Sequence, residues 1–384
     1  MKIVLAPDSF KGSLTAEQAC EAMARGVRRA CPQAELLAVP MADGGEGTAE
    51  ALRAVTGGRM VPVTATGPLP DGDRVAGEFA LLGDRTTAVV EMARVSGLTL
   101  VPPAKRNPLH TTTYGTGELI AAALDTGIRR LIVAIGGSAT CDGGAGMAQA
   151  LGARFTNSAG SIIPQPMTGG LLAQVARVDL TAMHPRVTDC AVEVACDVDN
   201  PLLGPRGAAA VYGPQKGASP ADVVELERNL TRLVSILEAA IGRSIRDEPG
   251  AGAAGGLGAG LVGFLGARLK PGVEIVLAAS NLTERLAGAD LVFTGEGCID
   301  AQTPNGKTIS GVVRAAATQN VPVIALAGRV GRTPADTEAL APLGLHGVHA
   351  IAPESMPLHE AMARAGELLT GAAEAACRQW LTHW

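Results

Sequence analysis

The alternation of strands and helices at both ends of the chain constrains its fold more than any other feature. Residues 2–6 and 36–39 are predicted strands, each followed by a helical pattern, and the same order returns after residue 290. Thr15, with Gln18 three residues later, predicts a capping box at the start of the first helix. Because strands joined by helical crossovers run parallel, the two ends of the chain predict one doubly wound α/β domain.

The middle of the chain follows a different pattern. Residues 61–65, 75–81 and 87–92 are strand-like and closely spaced, without helices between them, so antiparallel strands are predicted there. We therefore predict a second α/β domain with a mixed sheet, inserted into the first, and an active-site cleft between the two. A chain of 384 residues suits two domains. The predicted limits are 1–60 with 285–384 for the first domain and 61–284 for the inserted domain.

Charge and cysteine content exclude several classes of protein. The net charge of −5 speaks against a nucleic-acid partner, because phosphate backbones are bound by basic surfaces. The seven cysteines are scattered, odd in number and without a CxxC pair, so a reduced, cytoplasmic protein is predicted rather than a disulfide framework. The apolar start is too short for a signal peptide, and the longest uncharged stretch is too short to span a bilayer, so no membrane partner is expected.

One glycine-rich loop directly follows a predicted strand. Residues 136–144 combine four glycines with two hydroxyl groups and one carboxylate. Open α/β sheets bind ligands beyond the carboxyl ends of their strands, so we interpret this loop as a ligand site rather than a plain turn. The residues assigned to it are Gly136, Gly137, Ser138 and Thr140.

Two other segments match nucleotide-binding motifs only in part. Residues 305–308 end like a P-loop, but Ala301 stands at the first glycine position, which excludes a Walker site. The helix that starts after Lys307 and Thr308 is either an anion site, because its first N–H groups are free, or an ordinary capped helix. Residues 250–255 match GxGxxG but follow a charged segment instead of a buried strand, so no dinucleotide site is predicted.

Carboxylates recur in the loops that follow predicted strands. A single one is usually a turn or cap residue, but five loops share the pattern. Carboxylates gathered in one cleft need a cation or a proton, and Mg²⁺ takes one or two of them plus phosphate oxygens. Together with ammonium groups and glycine loops, they suit phosphoryl transfer from Mg-ATP. The acidic residues are Asp8, Asp43, Glu46, Asp142, Asp197, Asp199, Glu296 and Asp300, and the basic ones Lys11, Lys216, Lys307 and Arg206.

These loops, in this order, resemble the bacterial glycerate kinase family over nearly the whole chain. The resemblance implies ATP-dependent phosphorylation of D-glycerate to 2-phosphoglycerate, no P-loop, and a flavodoxin-like domain that carries an inserted domain. Cys141 and Cys298 depart from the common family pattern, in which Asn and Arg are usual. Replacing Arg removes a bidentate anion binder. The matching segments are APDSFKG (6–12), MADGGEGT (41–48), GGSAT (136–140), CDVDNPL (196–202), GPQKG (213–217) and TGEG (294–297).

The residue roles combine the loops with this resemblance. We expect Asp8, Ser9 and Lys11 to hold glycerate, with Lys11 on its carboxylate. Asp197 is expected to accept the proton of the 2-hydroxyl or to hold Mg²⁺, and the sequence leaves both open. Asp43 is assigned a catalytic role together with Lys11 and Asp197, and Gly44, Gly45 and Arg206 are assigned to the substrate. Asp199 and Asp300 are assigned to Mg²⁺ in addition to Asp197. The residues assigned to ATP are Gly136, Gly137, Ser138, Thr140, Lys216, Glu296, Lys307 and Thr308.

Two functions from other classes stay open at this point. One is an NAD-dependent hydroxy-acid dehydrogenase, against which the missing strand before Gly250 speaks. The other is a two-domain protein that binds small anions without catalysis. The sequence leaves the 2- or 3-position of the product, the breadth of hydroxy-acid specificity and the oligomeric state undecided.

Overall fold

A computed structural model of the chain describes residues 1–72, 74–300, 303, 308–331, 333 and 343–382. The chain forms two compact units. Unit 1 comprises Met1–Asp43, Glu50–Gly57 and Val273–Trp384, and unit 2 comprises Gly44–Ala49 and Gly58–Gly272. The sequence predicted domain boundaries at 60/61 and 284/285. That these boundaries separate two independently folding domains remains a prediction.

Unit 1 is built on a parallel sheet with the strand order β13-β12-β11-β1-β2. Its strands are β1 (Lys2–Leu5), β2 (Glu35–Ala38), β11 (Leu291–Ile299), β12 (Val323–Val330) and β13 (Gly347–Ala350). From β1 the chain passes to β2 on one side, whereas β11 leads to β12 and β13 on the other. The direction of winding therefore reverses between β1 and β11, which makes this pair the topological switch point of the sheet.

Helices surround this sheet and close its core. Ile3, Leu5 and Phe293 are fully buried on the strands. The predicted capping box is confirmed, since Thr15 Oγ1 accepts from the Gln18 N–H at 3.1 Å and Gln18 Oε1 accepts from the Thr15 N–H at 3.0 Å. The helices are α1 (Ala16–Ala30), α2 (Thr48–Thr56), α9 (Gly272–Ser280), α10 (Leu282–Arg285), α11 (Thr308–Ala317), α12 (Leu358–Ala363) and α13 (Ala365–Leu381), of which α2 and α9 start in unit 2.

The sequence placed Glu296 in a loop after a short strand, and this expectation is wrong. β11 continues to Ile299, because β12 pairs with it up to Ile299↔Val330. Glu296 lies within the strand, opposite Ala327. The glycines on either side of Glu296 masked the strand pattern, since glycine is depleted in strands.

Unit 2 contains a mixed sheet with the order β10-β9-β6-β5-β4-β3 and a small antiparallel pair, β7-β8. β3, β4 and β5 are antiparallel neighbours, as predicted, whereas β5, β6, β9 and β10 pair in parallel. The predicted combination of a parallel and a mixed α/β sheet is confirmed. The strands are β3 (Arg59–Thr66), β4 (Arg74–Leu81), β5 (Thr87–Glu91), β6 (Arg130–Ala134), β7 (Arg154–Thr156), β8 (Arg177–Asp179), β9 (Ala191–Ala195) and β10 (Arg268–Lys270).

The helices of unit 2 cover an extensive apolar core. Phe155 and Phe264 meet edge to face in it, with ring centroids 6.1 Å apart. The helices are α3 (Ala93–Ser96), α4 (Tyr114–Asp125), α5 (Ala145–Ala150), α6 (Ala208–Tyr212), α7 (Pro220–Ile241) and α8 (Ala253–Leu265), with 3₁₀ turns at Leu98–Leu100, Pro103–Lys105, Leu171–Gln174, Pro185–Val187 and Pro214–Lys216. Within the described residues, no helix is both long and apolar enough to cross a membrane. All seven cysteines are free thiols.

Candidate active site

In unit 1 the charged residues gather at the carboxyl ends of β1, β2 and β11. Asp8 follows β1, and its N–H donates to the carbonyl oxygen of Gly295 on β11 at 2.8 Å. Asp43 follows β2, and Glu296 lies on β11. Carboxylates thus lie on both sides of the topological switch point, which is where open α/β sheets bind their ligands.

Asp8 is the most buried of these carboxylates, with 6% of its surface exposed. Its Oδ1 accepts from the N–H of Ser9 at 2.6 Å, and its Oδ2 accepts from the hydroxyl of Thr308. Burial, followed by the negative charge of Asp43, raises the pKa of Asp8 to about 6, although both hydrogen bonds and Lys11 act in the opposite direction. At neutral pH the Asp8 carboxyl group is therefore ionised but accepts a proton readily.

Lys11 provides the positive charge of this cluster. Its Nζ lies 3.5 Å from Oδ2 of Asp43, and 76% of the side chain is exposed. The charge of Asp43 raises the pKa of Lys11, and Asp8 and Glu296 add to the effect. The ammonium group of Lys11 is held by Asp43 and is still exposed to solvent, so it can bind the carboxylate of a small acid.

The carboxyl end of β11 carries a second hydrogen-bonded acidic group. The hydroxyl of Thr303 donates to Oε1 of Glu296 at 3.0 Å and accepts from the N–H of Asp300 at 3.0 Å. Thr303 therefore links the two predicted ligands Glu296 and Asp300. Lys307, which was assigned to ATP, lies outside the described residues.

In unit 2 the predicted phosphate loop follows β6 and is held from inside by a buried lysine. Lys216 is 2% exposed, and its Nζ donates to Oγ of Ser138 at 2.7 Å and to the carbonyl oxygen of Thr140 at 2.8 Å. Burial lowers the pKa of Lys216 to about 8, against the opposing influence of Cys141 and Asp142. The ammonium group thus fixes the backbone of the loop that Gly136 and Gly137 begin.

The next part of the same loop is fixed by Asp142. Its carboxylate accepts four hydrogen bonds: from the N–H and hydroxyl of Thr113 at 2.8 Å each, and from the N–H groups of Gly144 and Gly146 at 3.2 Å each. Burial raises the pKa of Asp142 despite these bonds. The bonds connect the loop to the starts of α4 and α5, so Asp142 shapes the backbone of this loop.

The carboxylates that follow β9 have different surroundings. Oδ1 of Asp197 accepts from the N–H of Gly272, the first residue of α9, at 2.8 Å. Asp199 forms an exposed ion pair with Arg206 at 2.8 Å. Arg206 was assigned to the substrate and Asp199 to Mg²⁺, yet the structure pairs them with each other. Asp300, the third predicted metal ligand, belongs to unit 1.

The donor set was tested for its fit to Mg²⁺. Among the described residues, no group of three or more His, Cys, Asp or Glu side chains is arranged to hold a metal. Mg²⁺ bound through a nucleotide needs only one or two carboxylates, because phosphate oxygens and water supply the rest. Asp197 offers a carboxylate oxygen of this kind, so the residues present fit a metal that arrives with the nucleotide.

The glycines predicted to bind substrate lie before α2. Gly44 has a left-handed φ of 91°, and the hydroxyl of Thr48 donates to the carbonyl oxygen of Gly45 at 2.8 Å. Sequence reasoning missed Glu91, which ends β5 and is buried. Its Oε1 accepts from the N–H of Ala49 at 2.8 Å and its Oε2 from Nε of Arg94 at 3.1 Å. Glu91 stands inside a predicted strand, so the search for carboxylates in loops passed over it.

Glycine loops and oriented carboxylates at the carboxyl ends of strands, with a lysine beside them, define an α/β phosphotransferase that does not use a P-loop. The chain belongs to the glycerate kinase family, whose model matches residues 3–381. It is 51% identical to a glycerate kinase of Halalkalibacterium halodurans (97% of this chain, 96% of that one) and 48% identical to the glycerate 2-kinase of Escherichia coli K12 (91% and 90%).

A solved structure agrees with the sequence relatives. A protein of Salmonella typhimurium LT2, provisionally described as glycerate kinase 2, matches with a TM-score of 0.90 and 45% identity, covering 100% of this chain and 99% of that one. These matches confirm the predicted family and the predicted class of enzyme, a phosphotransferase. They support neither the dehydrogenase nor the non-catalytic binding protein.

Proposed function

We propose that this enzyme transfers the terminal phosphoryl group of ATP to the 2-hydroxyl of D-glycerate, giving 2-phosphoglycerate and ADP. The observation that carries the proposal is the identity of 48–51%, over more than nine tenths of this chain, to proteins named glycerate kinase or glycerate 2-kinase. Identity of this extent, over at least nine tenths of both chains, favours retention of the substrate.

In this proposal the substrate lies at the switch point of unit 1. Lys11 binds the carboxylate of glycerate, because its ammonium is exposed while Asp43 holds it in place. Asp8 and Ser9 lie on the same loop and contribute polar groups for the hydroxyls of the substrate. Gly44 and Gly45, which follow Asp43 directly, complete the proposed substrate residues, while Arg206 has a weaker claim because it is already paired with Asp199.

The nucleotide is proposed to bind at the loop of Gly136, Gly137, Ser138 and Thr140. Lys216 supports this loop through Ser138 and Thr140. Glu296, Thr308 and Lys307 are the other residues proposed for ATP, and Asp197, Asp199 and Asp300 are the proposed ligands of Mg²⁺. When bound, Mg²⁺ neutralises charge on the phosphates. The free state of all seven cysteines supports a reducing compartment, such as the cytoplasm, as the site of action.

The test combines an activity measurement with identification of the product. ADP release is measured with Mg-ATP and D-glycerate, with a control that lacks glycerate, and the product is examined by ³¹P NMR. A phosphorus signal coupled to the single proton on carbon 2 is expected. Coupling to the two protons on carbon 3 would reject the 2-position, and ADP release independent of glycerate would reject the kinase.

Two substitutions test the residue assignments. Lys11→Ala and Asp197→Asn are expected to lower turnover by about 10²–10³-fold each, which is the usual effect of losing one charge-stabilising group. Lys105→Ala, which removes an exposed lysine from unit 2, is the matched control and is expected to leave turnover unchanged. Normal turnover in both Lys11→Ala and Asp197→Asn would refute this assignment of the site.

A further inference from the structure

We propose that Asp8 is the catalytic base that accepts the proton of the substrate hydroxyl during phosphoryl transfer. This inference rests on the proposed function and deepens it, because the sequence named Asp197 as the first candidate for that role. Three features of the structure favour Asp8: its place in the fold, the orientation of its carboxylate, and the surroundings of its competitor.

The place of Asp8 is the end of β1, beside β11. It is fixed there by the hydrogen bond from its own N–H to the carbonyl oxygen of Gly295. Asp8 therefore lies at the switch point of the sheet, on the same loop as Lys11. A base must lie within hydrogen-bond reach of the proton that it removes, so the group that anchors the substrate and the base are expected to be close neighbours.

The carboxylate of Asp8 is oriented before any substrate binds. The hydroxyl of Thr308 holds one oxygen and the N–H of Ser9 holds the other. Each oxygen has a second lone pair with which it can accept a proton. Among the described residues, the charged groups that act on Asp8 are Asp43, which disfavours its negative charge, and Lys11, which favours it.

The competitor, Asp197, has one carboxylate oxygen engaged at the start of a helix. Its Oδ1 accepts from the N–H of Gly272, the first residue of α9, at 2.8 Å. Asp197 follows β9 and so lies on a different loop from Lys11, whereas Asp8 shares the loop of Lys11. We therefore assign Asp197 the second of its two expected roles, the binding of Mg²⁺.

The step balances as a simple displacement. The O–H bond of the substrate breaks and its proton moves to the carboxylate of Asp8. The hydroxyl oxygen forms a bond to the terminal phosphorus of ATP, and the bond from that phosphorus to the bridging oxygen breaks. The electron pair of the broken bond leaves with ADP. Asp8 returns its proton to solvent before the next turnover.

The experiment measures kcat/KM for glycerate against pH, at saturating Mg-ATP, in six proteins: wild type, Asp8→Asn, Asp71→Asn, Asp43→Asn, Thr308→Val and Asp197→Asn. Wild type is expected to lose activity toward low pH as Asp8 becomes protonated, with a midpoint near the pKa of about 6. Asp8→Asn is expected to lower kcat/KM by about 10²–10⁴-fold, the usual contribution of a general base, and to abolish this loss at low pH. Asp71→Asn, an exposed turn residue of unit 2, is the matched control and keeps the wild-type profile.

Two neighbours of Asp8 provide a signature that a merely structural role would not produce. Asp43→Asn removes the charge that raises the pKa of Asp8, so the midpoint moves to lower pH. Thr308→Val removes a hydrogen bond that lowers this pKa, so the midpoint moves to higher pH. Titration of the ATP phosphates affects all variants alike and cannot produce shifts in opposite directions. These two variants also keep the test valid if Asp8→Asn does not fold.

The outcomes separate this inference from the proposed function. An active wild type combined with an unchanged midpoint in both Asp43→Asn and Thr308→Val would overturn the assignment of Asp8 alone. The same holds if Asp8→Asn keeps the wild-type profile, or if Asp197→Asn abolishes the loss of activity at low pH. A wild type that releases no ADP with glycerate would overturn the proposed function instead.

Discussion

The charged cluster of unit 1 and the glycine loop of unit 2 use buried charge in different ways. Burial moves the pKa of Asp8 and of Lys216 toward neutrality in both places. Asp8, however, is also acted on by a second carboxylate, Asp43, whose negative charge raises its pKa further. Lys216 donates to two acceptors of one loop, and its charge fixes that backbone. We conclude that the first region is arranged to react and the second to hold a shape.

This difference leads to a clear division of effects. Substitutions in the cluster of unit 1 are expected to change rates and pH profiles while the free energy of unfolding changes little. Substitutions in the loop of unit 2 are expected to change the free energy of unfolding, because its polar groups bond to one another. The variants below test the second half of this comparison, and the Asp8 and Lys11 variants test the first.

The largest effect on stability is expected from Gly255→Ala. Gly255 has a φ of 69°, in a left-handed turn of α8, and a Cβ there would lie 1.9 Å from the carbonyl oxygen of Thr140. The N–H of Gly143 also donates to the carbonyl oxygen of Gly255. The added methyl group must displace the loop, so we expect a loss of about 3 kcal/mol or more in the free energy of unfolding, measured by urea denaturation.

Gly266→Ala is the matched control for this prediction. Gly266 ends the same helix with a similar φ of 67°, but nothing lies within 4 Å of the position of its Cβ. The left-handed conformation alone costs about 1–2 kcal/mol for alanine. Equal losses in the two variants would mean that the contact with Thr140 does not hold the loop, and the comparison would fail for unit 2.

A smaller effect is expected from Lys216→Met at neutral pH. The variant leaves the hydroxyl of Ser138 and the carbonyl of Thr140 without their donor, which costs about 1–3 kcal/mol, while it also removes the cost of a buried charge. We expect a net loss of about 1–2 kcal/mol in the free energy of unfolding and a raised KM for ATP. Lys216→Arg keeps a permanent charge and is the control for titration.

The lowered pKa of Lys216 predicts how the difference in stability between wild type and these variants changes with pH. The folded protein releases the proton near pH 8, whereas the unfolded chain keeps it up to the ordinary value of 10.5. Between these values the unfolded state binds more protons, so the stability of wild type rises with pH relative to Lys216→Met and Lys216→Arg. After Lys216 loses its proton, its neutral amine can still donate to Ser138 and Thr140, so both hydrogen bonds remain. A constant difference from about pH 7 to about pH 10 would show that Lys216 keeps its proton in the folded protein over this range, so that its pKa is not lowered.

The sequence predicted which loops matter better than what each residue does in them. Strands can be located from apolar runs, although β11 extends beyond its predicted end, and the order of strands and helices predicted both sheets. Partners distant in sequence could not be read. Thr308 contacts Asp8 across 300 positions, and nothing in either segment indicates this contact. Glu91 was missed because it stands inside a predicted strand, and its partner Ala49, 42 residues away, could not be read from the sequence either.

The smallest effect on stability is expected from Thr140→Val. The hydroxyl of Thr140 is buried and has no hydrogen-bond partner within the part of the chain that the structure describes. Thr113 contrasts with it, because its hydroxyl donates to Asp142 at 2.8 Å and accepts from the N–H of Met147 at 2.9 Å. We therefore expect Thr113→Val to cost about 1–3 kcal/mol and Thr140→Val less than about 1 kcal/mol, both measured by urea denaturation.

The kinetics of Thr140→Val decide whether the unused hydroxyl serves the nucleotide. An unsatisfied polar group persists in a folded protein at a cost, which favours a role with a ligand. If the hydroxyl of Thr140 meets a phosphate oxygen, Thr140→Val raises KM for ATP while its stability equals that of wild type. A loss of stability as large as that of Thr113→Val would assign the hydroxyl to the fold. An unchanged KM together with unchanged stability would remove Thr140 from the nucleotide site and leave the loop to bind ATP through its backbone.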